Sequence, residues 1–172
     1  MIIRQIIIHH TASSRDKTSL QAIDNWHRAR WPNFRSSLGF WIGYHYVILG
    51  NGEIKQTRRD IEMGAHAIPN NGRLGIALCG NFEIERPSEA QLSSLTSLLR
   101  KLKSTYQLQD KDILGHHQVS ATLCQGKNLI DWLENYKKQD LTELQKMIYE
   151  IQKKIELLKK VLELLLKIGR IK

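Results

Sequence analysis

One pair of residues restricts this chain more than any other. His116 and Cys124 stand eight positions apart in Gly115-His116-His117-Gln118-Val119-Ser120-Ala121-Thr122-Leu123-Cys124. Their side chains can meet at one metal ion if the loop between them curls back. Zinc takes imidazole nitrogen and thiolate sulfur readily, usually with four ligands in a tetrahedron. Two protein ligands are too few, so a third must come from elsewhere. The obvious source is the start of the chain, where Ile6-Ile7-Ile8 runs into His9-His10-Thr11-Ala12. A buried strand that ends in a histidine delivers its imidazole at the edge of a sheet. Two histidines and one cysteine, with a water in the fourth position, describe a catalytic zinc centre rather than a closed structural one. The residues alone also allow a plainer reading, since paired histidines are common and a free cysteine is usually buried and inert.

Four further motifs follow that strand in order: Ile42-Gly43-Tyr44-His45-Tyr46, Gly64-Ala65-His66, Gly80-Asn81-Phe82, and Gly115-His116 with Cys124 after seven more residues. Together, over roughly residues 1 to 137, the five resemble the zinc-dependent N-acetylmuramoyl-L-alanine amidases. That family includes the phage amidase-type lysozymes, and its fold is shared with the peptidoglycan recognition proteins. The resemblance implies an α/β domain with a central mixed β-sheet flanked by helices. It also implies one zinc ion per chain on His9, His116 and Cys124, which makes His10 a structural neighbour. The implied reaction is hydrolysis of the amide between the lactyl group of N-acetylmuramic acid and the first L-alanine of the peptidoglycan stem peptide. Tyr44 would orient the attacking water or donate to the oxyanion, and Thr122 stands where some relatives carry a lysine and others a threonine. His66 is placed near the substrate groove, and Asn81 is taken with it as substrate-binding. One departure is visible: the family usually has proline after the cysteine, and here Gln125 stands there.

The remaining elements follow from local pattern. Residues 2 to 8 are apolar and β-branched, a short buried strand. Thr18-Ser19-Leu20-Gln21 reads as a capping box opening a helix that Pro32 closes. His27 on that helix reads as a packed or surface residue. The loop from 33 to 41 holds Phe34, Phe40 and Trp41, and Trp41 is the candidate for stacking on a sugar ring, the alternative being a lid on the core. Gly43 to Leu49 and Glu53 to Thr57 read as two arms of a hairpin around Gly50-Asn51-Gly52. Leu74 to Gly80 is another apolar strand. Ser88 caps a helix with Gln91 at the third position and Leu92, Leu95, Leu98, Leu99 and Leu102 on one stripe. Asp112 to Gly115 leads into the metal loop, and Trp132 and Leu133 sit in a short helix closing a domain of residues 1 to 138.

Residues 139 to 172 are a different object. Asp140 can cap a new helix, with Glu143 three residues on. Leu141, Leu144, Ile148, Ile151, Ile155, Leu158, Leu162 and Leu165 then recur at spacings of three and four. That pattern gives four heptads with apolar a and d positions, an amphipathic helix about 40 Å long. Met147, Val161 and Ile168 widen the stripe. A face this wide implies self-association, docking on the domain, or contact with an anionic membrane through residues 141 to 168. Lysines and Glu163 interrupt the apolar runs short of a membrane span.

Composition adds limits. The 172 residues carry 26 Lys and Arg against 17 Asp and Glu, a net charge of +9. Such a field attracts polyanions such as nucleic acid, anionic membrane or cell-wall polymers without choosing among them. No nucleic-acid motif is present, so no specific nucleic-acid partner is expected. Two cysteines, Cys79 and Cys124, imply no disulfide framework. The first residues read as a strand and not a signal peptide, so the expectation is synthesis in the cytoplasm, or a leader already removed, and action on the cell wall by a separate exit route. The competing reading within the same fold is a module that binds peptidoglycan without cutting it.

Overall fold

The structure is a computed structural model. It describes the backbone of residues 2–169 and the side chains of that span except 140–143 and 167–169. The described chain forms two compact units, Met1–Leu133 and Glu134–Lys172.

The first unit is built on five strands: β1 (Gln5–His10), β2 (Tyr46–Ile48), β3 (Ile54–Gln56), β4 (Arg73–Leu78) and β5 (Ile113–Gly115). Their order in the sheet is β3-β2-β4-β1-β5. β1 pairs in parallel with both β4 and β5, β2 is parallel to β4, and β2 and β3 form the one antiparallel hairpin. The sheet is therefore mixed, with helices α1 (Leu20–Arg30) and α2 (Glu89–Tyr106) between its strands in sequence. Successive β1 side chains point to opposite faces and those from Ile6 to His10 are all buried, so both faces of the strand are covered, which is why it carries an unbroken isoleucine run and not an alternating one. Ile6, Ile7 and Ile8 are all fully buried, each worth ~1.5–3 kcal/mol of apolar transfer. From α2, Leu95, Leu98, Leu99 and Leu102 join the core. Cys79 is buried there as a free thiol, and burial pushes its pKa up to about 11.

Ser88 caps α2 as expected, with Gln91 closing a reciprocal capping box. At the start of α1 the cap is Ser19, whose side chain accepts from the Ala22 N–H, and not Thr18. The Thr18 hydroxyl instead donates to Ser13 Oγ at 2.9 Å. β2 is shorter than the expected arm, because the Tyr44 and His45 carbonyls accept from Thr57 in place of a regular ladder. β5 is a full member of the sheet where only a lead-in was expected. Three residues are too few to display a period.

The last helix also differs from expectation. A single helix, α3, runs from Lys127 to Gly169, so the backbone of Asp140 lies within it and no new helix starts there. Neither glycine nor proline interrupts the sequence between Lys127 and Ile168, so nothing forces the backbone to stop. Gly126 precedes it at φ +84°, where an added Cβ would lie 2.4 Å from the Phe82 carbonyl carbon. In the second unit, Leu144, Ile148, Ile151, Ile155, Leu158, Leu162 and Leu165 are all exposed. The expected stripe positions Leu141 and Ile168 lie outside the described side chains. Among the described residues, no helix is long and apolar enough to cross a membrane.

Candidate metal and catalytic site

The site begins with strand register. β1 and β5 are parallel, and Ile8 pairs with Gly115. The next residue on each strand is a histidine. His9 and His116 therefore leave the same edge of the sheet side by side, with ring centroids 4.4 Å apart. After β5 the chain makes a short 3-10 turn over His116–Gln118 and loops back. That return puts Cys124 Sγ 3.6 Å from His9 Nδ1. One ligand atom from each of His9, His116 and Cys124 lies within 4.8 Å of the others. Strand alternation sends His10 the other way, where its Nδ1 accepts from the Phe82 N–H at 3.1 Å.

Electrostatics leave the two imidazoles neutral. Burial, reinforced by His66, His116 and His10, holds the His9 pKa well below the ordinary histidine value, so its ring is neutral with a lone pair to offer. Burial and His117 lower His116 similarly. The Nδ1 of His116 is buried and makes no hydrogen bond among the described residues. An orphaned buried nitrogen beside a second imidazole and a thiol is what a metal ion would complete. Burial pushes the Cys124 thiol up to about 11, so metal binding there must release its proton. Two imidazoles and one thiolate suit zinc, with one position left open.

These three residues stand in the wall of a cavity of about 770 Å³. Tyr44 lines it too, its ring 5.1 Å from that of His9 and 5.3 Å from that of His27. Burial first, then the adjacent Cys124, raises the Tyr44 pKa above its ordinary value, so the phenol keeps its proton and is a donor. Thr122 lines the cavity, and its Oγ1 accepts from the Cys124 N–H at 3.2 Å, which leaves its O–H to donate elsewhere. His66 is in the wall as well, buried and hydrogen-bonded to His9. Trp41 and Asn81 do not line this cavity. The guanidinium groups of Arg28 and Arg35 lie over the Trp41 ring, 4.5 and 4.6 Å from its centre, and its indole N–H donates to the Pro32 carbonyl. Asn81 ties the turn after β4, its side chain accepting from the Glu83 N–H.

Among the other lining residues are His27, which the sequence placed as a packed or surface residue, and Arg30 and Trp31, which it did not place at the site. His27 Nδ1 accepts from the Gly43 N–H at 2.8 Å, and burial with the nearby Arg30 charge lowers its pKa to about 4. Arg30 lies over the Trp31 ring, 4.8 Å from its centre. The i, i+3 spacing of His27 and Arg30 was the available signal, since it puts both on one face of α1.

The family model for N-acetylmuramoyl-L-alanine amidase matches residues 1–127. The chain belongs to the N-acetylmuramoyl-L-alanine amidase family. Peptidoglycan-recognition protein SD of Drosophila simulans is 41% identical over 97 residues, covering 55% of this chain and 52% of that protein. The chain thus spans about half the length of that relative. Peptidoglycan-recognition protein SC1a of Drosophila melanogaster is 35% identical over 133 residues, covering 72% of the chain and 68% of that protein. Among solved structures, the endolysin amidase LysCS of Clostridium intestinale superposes with a TM-score of 0.67 at 31% identity, covering 78% of this chain and 83% of its own. Drosophila peptidoglycan recognition protein SD gives 0.61 at 33% identity, covering 73% and 76%. The mixed five-stranded sheet with its helices is the fold that these amidases and recognition proteins share.

Proposed function

We propose that this amidase-family chain is a zinc hydrolase that cuts the bond between N-acetylmuramic acid and L-alanine in peptidoglycan, acting on the cell wall. The observation that carries this reading is the convergence of His9, His116 and Cys124 donor atoms within 4.8 Å in a cavity that Tyr44 and Thr122 also line. Zinc held there would supply Lewis acidity and lower the pKa of water from ~15.7 toward 7. His9 and His116 would hold the ion as neutral ligands and Cys124 as the single anionic one, which leaves the centre net positive. Tyr44, kept protonated by burial, would donate its hydroxyl hydrogen to the oxyanion as the amide carbon becomes tetrahedral. Thr122 offers a second, neutral donor on the Cys124 loop.

The competing reading is a module that binds peptidoglycan without cutting it, supported by the recognition proteins among the relatives. The complete donor set with Tyr44 favours hydrolysis. Digestion of purified peptidoglycan separates the two: new L-alanine amino termini without new reducing sugars support the amidase, and binding without new termini supports the module. For the second unit, the heptad stripe supports self-association, and an anionic membrane is the alternative occupant.

A further inference from the structure

We infer that His66 is a positioning residue that fixes which nitrogen of His9 faces the metal, and that a backbone carbonyl dictates the choice through the two rings. This rests on the metal reading above. The chain of contacts starts at the Arg73 carbonyl, which can only accept. His66 Nε2 lies 3.3 Å from it and must therefore carry the hydrogen. A neutral His66 then has a bare Nδ1, which can only accept. That Nδ1 is 3.1 Å from His9 Nε2, so His9 must carry its own hydrogen on Nε2. His9 Nδ1 is left as a free lone pair, and it is the nitrogen 3.6 Å from Cys124 Sγ. A histidine ligand whose other ring nitrogen is held in this way keeps its tautomer and ring orientation.

The fold is shaped around the His66 ring. A Cβ added at Gly75 would lie 2.6 Å from His66 Cγ and Cδ2, and one added at Gly64 would lie 2.5 Å from Cδ2. A side chain at either glycine would collide with the ring, so both positions leave room for it. Its backbone is pinned as well, because the Asn70 side chain accepts from the N–H groups of His66 and Ala67 at 2.9 and 2.8 Å. A ring so confined cannot turn to follow His9, so His9 must conform to it. Facing the cavity is not its main task in this arrangement, since both ring nitrogens are engaged within the protein.

The test uses the full chain and zinc itself. His66→Phe keeps a flat ring at this position but removes the acceptor, and zinc affinity, measured by chelator competition, should fall 10- to 100-fold. His66→Asn keeps an acceptor near the Nδ1 position and should recover most of that loss. In the zinc-loaded wild type, nitrogen-15 NMR of the imidazoles should put the hydrogen on Nε2 of both His66 and His9. A hydrogen on His66 Nδ1 overturns the inference, whatever the variants do. So does a folded His66→Phe with wild-type zinc affinity, and a raised KM in that variant would make His66 a substrate contact. If the wild type itself takes up no zinc, the metal reading falls and this inference with it. Loss of zinc affinity in an enzyme with no amidase activity would instead sustain the role of His66 and remove only the proposed reaction.

Discussion

Replacing Tyr44 with phenylalanine isolates one hydroxyl. The ring sits 5.1 Å from His9 and 5.3 Å from His27, and phenylalanine preserves those contacts. Among the described residues the Tyr44 hydroxyl has no hydrogen-bond partner, so its removal orphans no group in the protein. Stability should therefore move by less than ~0.5 kcal/mol, and zinc content should not change. Turnover should change. Because the phenol stays protonated, it is a donor at neutral pH, and one donor lost from an oxyanion site typically costs 10²- to 10³-fold. A role limited to orienting the water would cost nearer tenfold, so the expected range is about 10- to 1000-fold, or ~1.4–4 kcal/mol of barrier. The effect belongs in kcat, since the oxyanion does not exist in the ground state. Initial rates on a soluble muramoyl peptide, with metal content and denaturation midpoint measured on the same samples, would decide it. Full activity with full zinc would reduce Tyr44 to a packing residue and remove it from the chemistry.

Other outcomes follow from the same geometry. Cys124→Ala should lose most of its zinc by metal analysis, and full occupancy would remove the thiolate from the ligand set. Ser88→Ala deletes an acceptor for the Gln91 N–H and a donor to the Gly50 carbonyl, and should cost ~1–2 kcal/mol in urea unfolding; a loss under ~0.5 kcal/mol would refute the cap. His27 and His66 have folded pKa values lowered from 6.5 to about 4 and about 3. The unfolded chain therefore binds protons first, so their contribution is complete above pH 6.5 and is lost as pH falls toward 4 and below. Each histidine adds a slope of up to ~1.4 kcal/mol per pH unit. Stability of the metal-free protein that stays flat from pH 6.5 to 4.5 would contradict their burial as neutral rings. Deleting residues 141–172 should leave zinc binding intact and change the assembly state by light scattering. Two monomers would end the self-association reading, and co-sedimentation with anionic vesicles would then test membrane contact.

How much of this was legible in the sequence depended on how far each feature reached along the chain. β1 announced itself because a strand buried on both faces needs only apolar residues, and the isoleucine run supplies them. The Ser88 cap was legible because both partners lie within three residues. His9, His116 and Cys124 were legible as types and spacings, although the choice of His9 over His10 came from the family pattern. What failed was set by partners distant in sequence. The α1 cap falls one residue later than Thr18, on Ser19, while the Thr18 hydroxyl is turned toward Ser13, five positions back. Trp41 looked free to stack on a sugar, but the guanidinium groups of Arg28 and Arg35 already lie over its ring. His66 was legible as a groove residue, since it lines the cavity, but its hydrogen bond to His9 crosses 57 positions of chain and was not.

The proposed ligand set divides by the same logic. His9 and His116 are placed by the sheet: they follow the paired residues Ile8 and Gly115 on adjacent parallel strands, so backbone hydrogen bonds determine their separation. Cys124 is placed by a loop whose residues 121–123 are exposed. A change in that loop can move the thiolate while leaving the two imidazoles where they are. Thr122 travels with Cys124, because its Oγ1 accepts from the Cys124 N–H. Any shift that weakens the metal site through this loop should therefore displace the Thr122 hydroxyl as well, whereas Tyr44, set between His9 and His27, stays in register with the strand ligands. The cavity thus has a strand-set half carrying two of the proposed ligands and the proposed Tyr44 donor, and an adjustable, loop-set half carrying the third proposed ligand and Thr122. Sequence change that tunes reactivity without dismantling the fold belongs on the adjustable half.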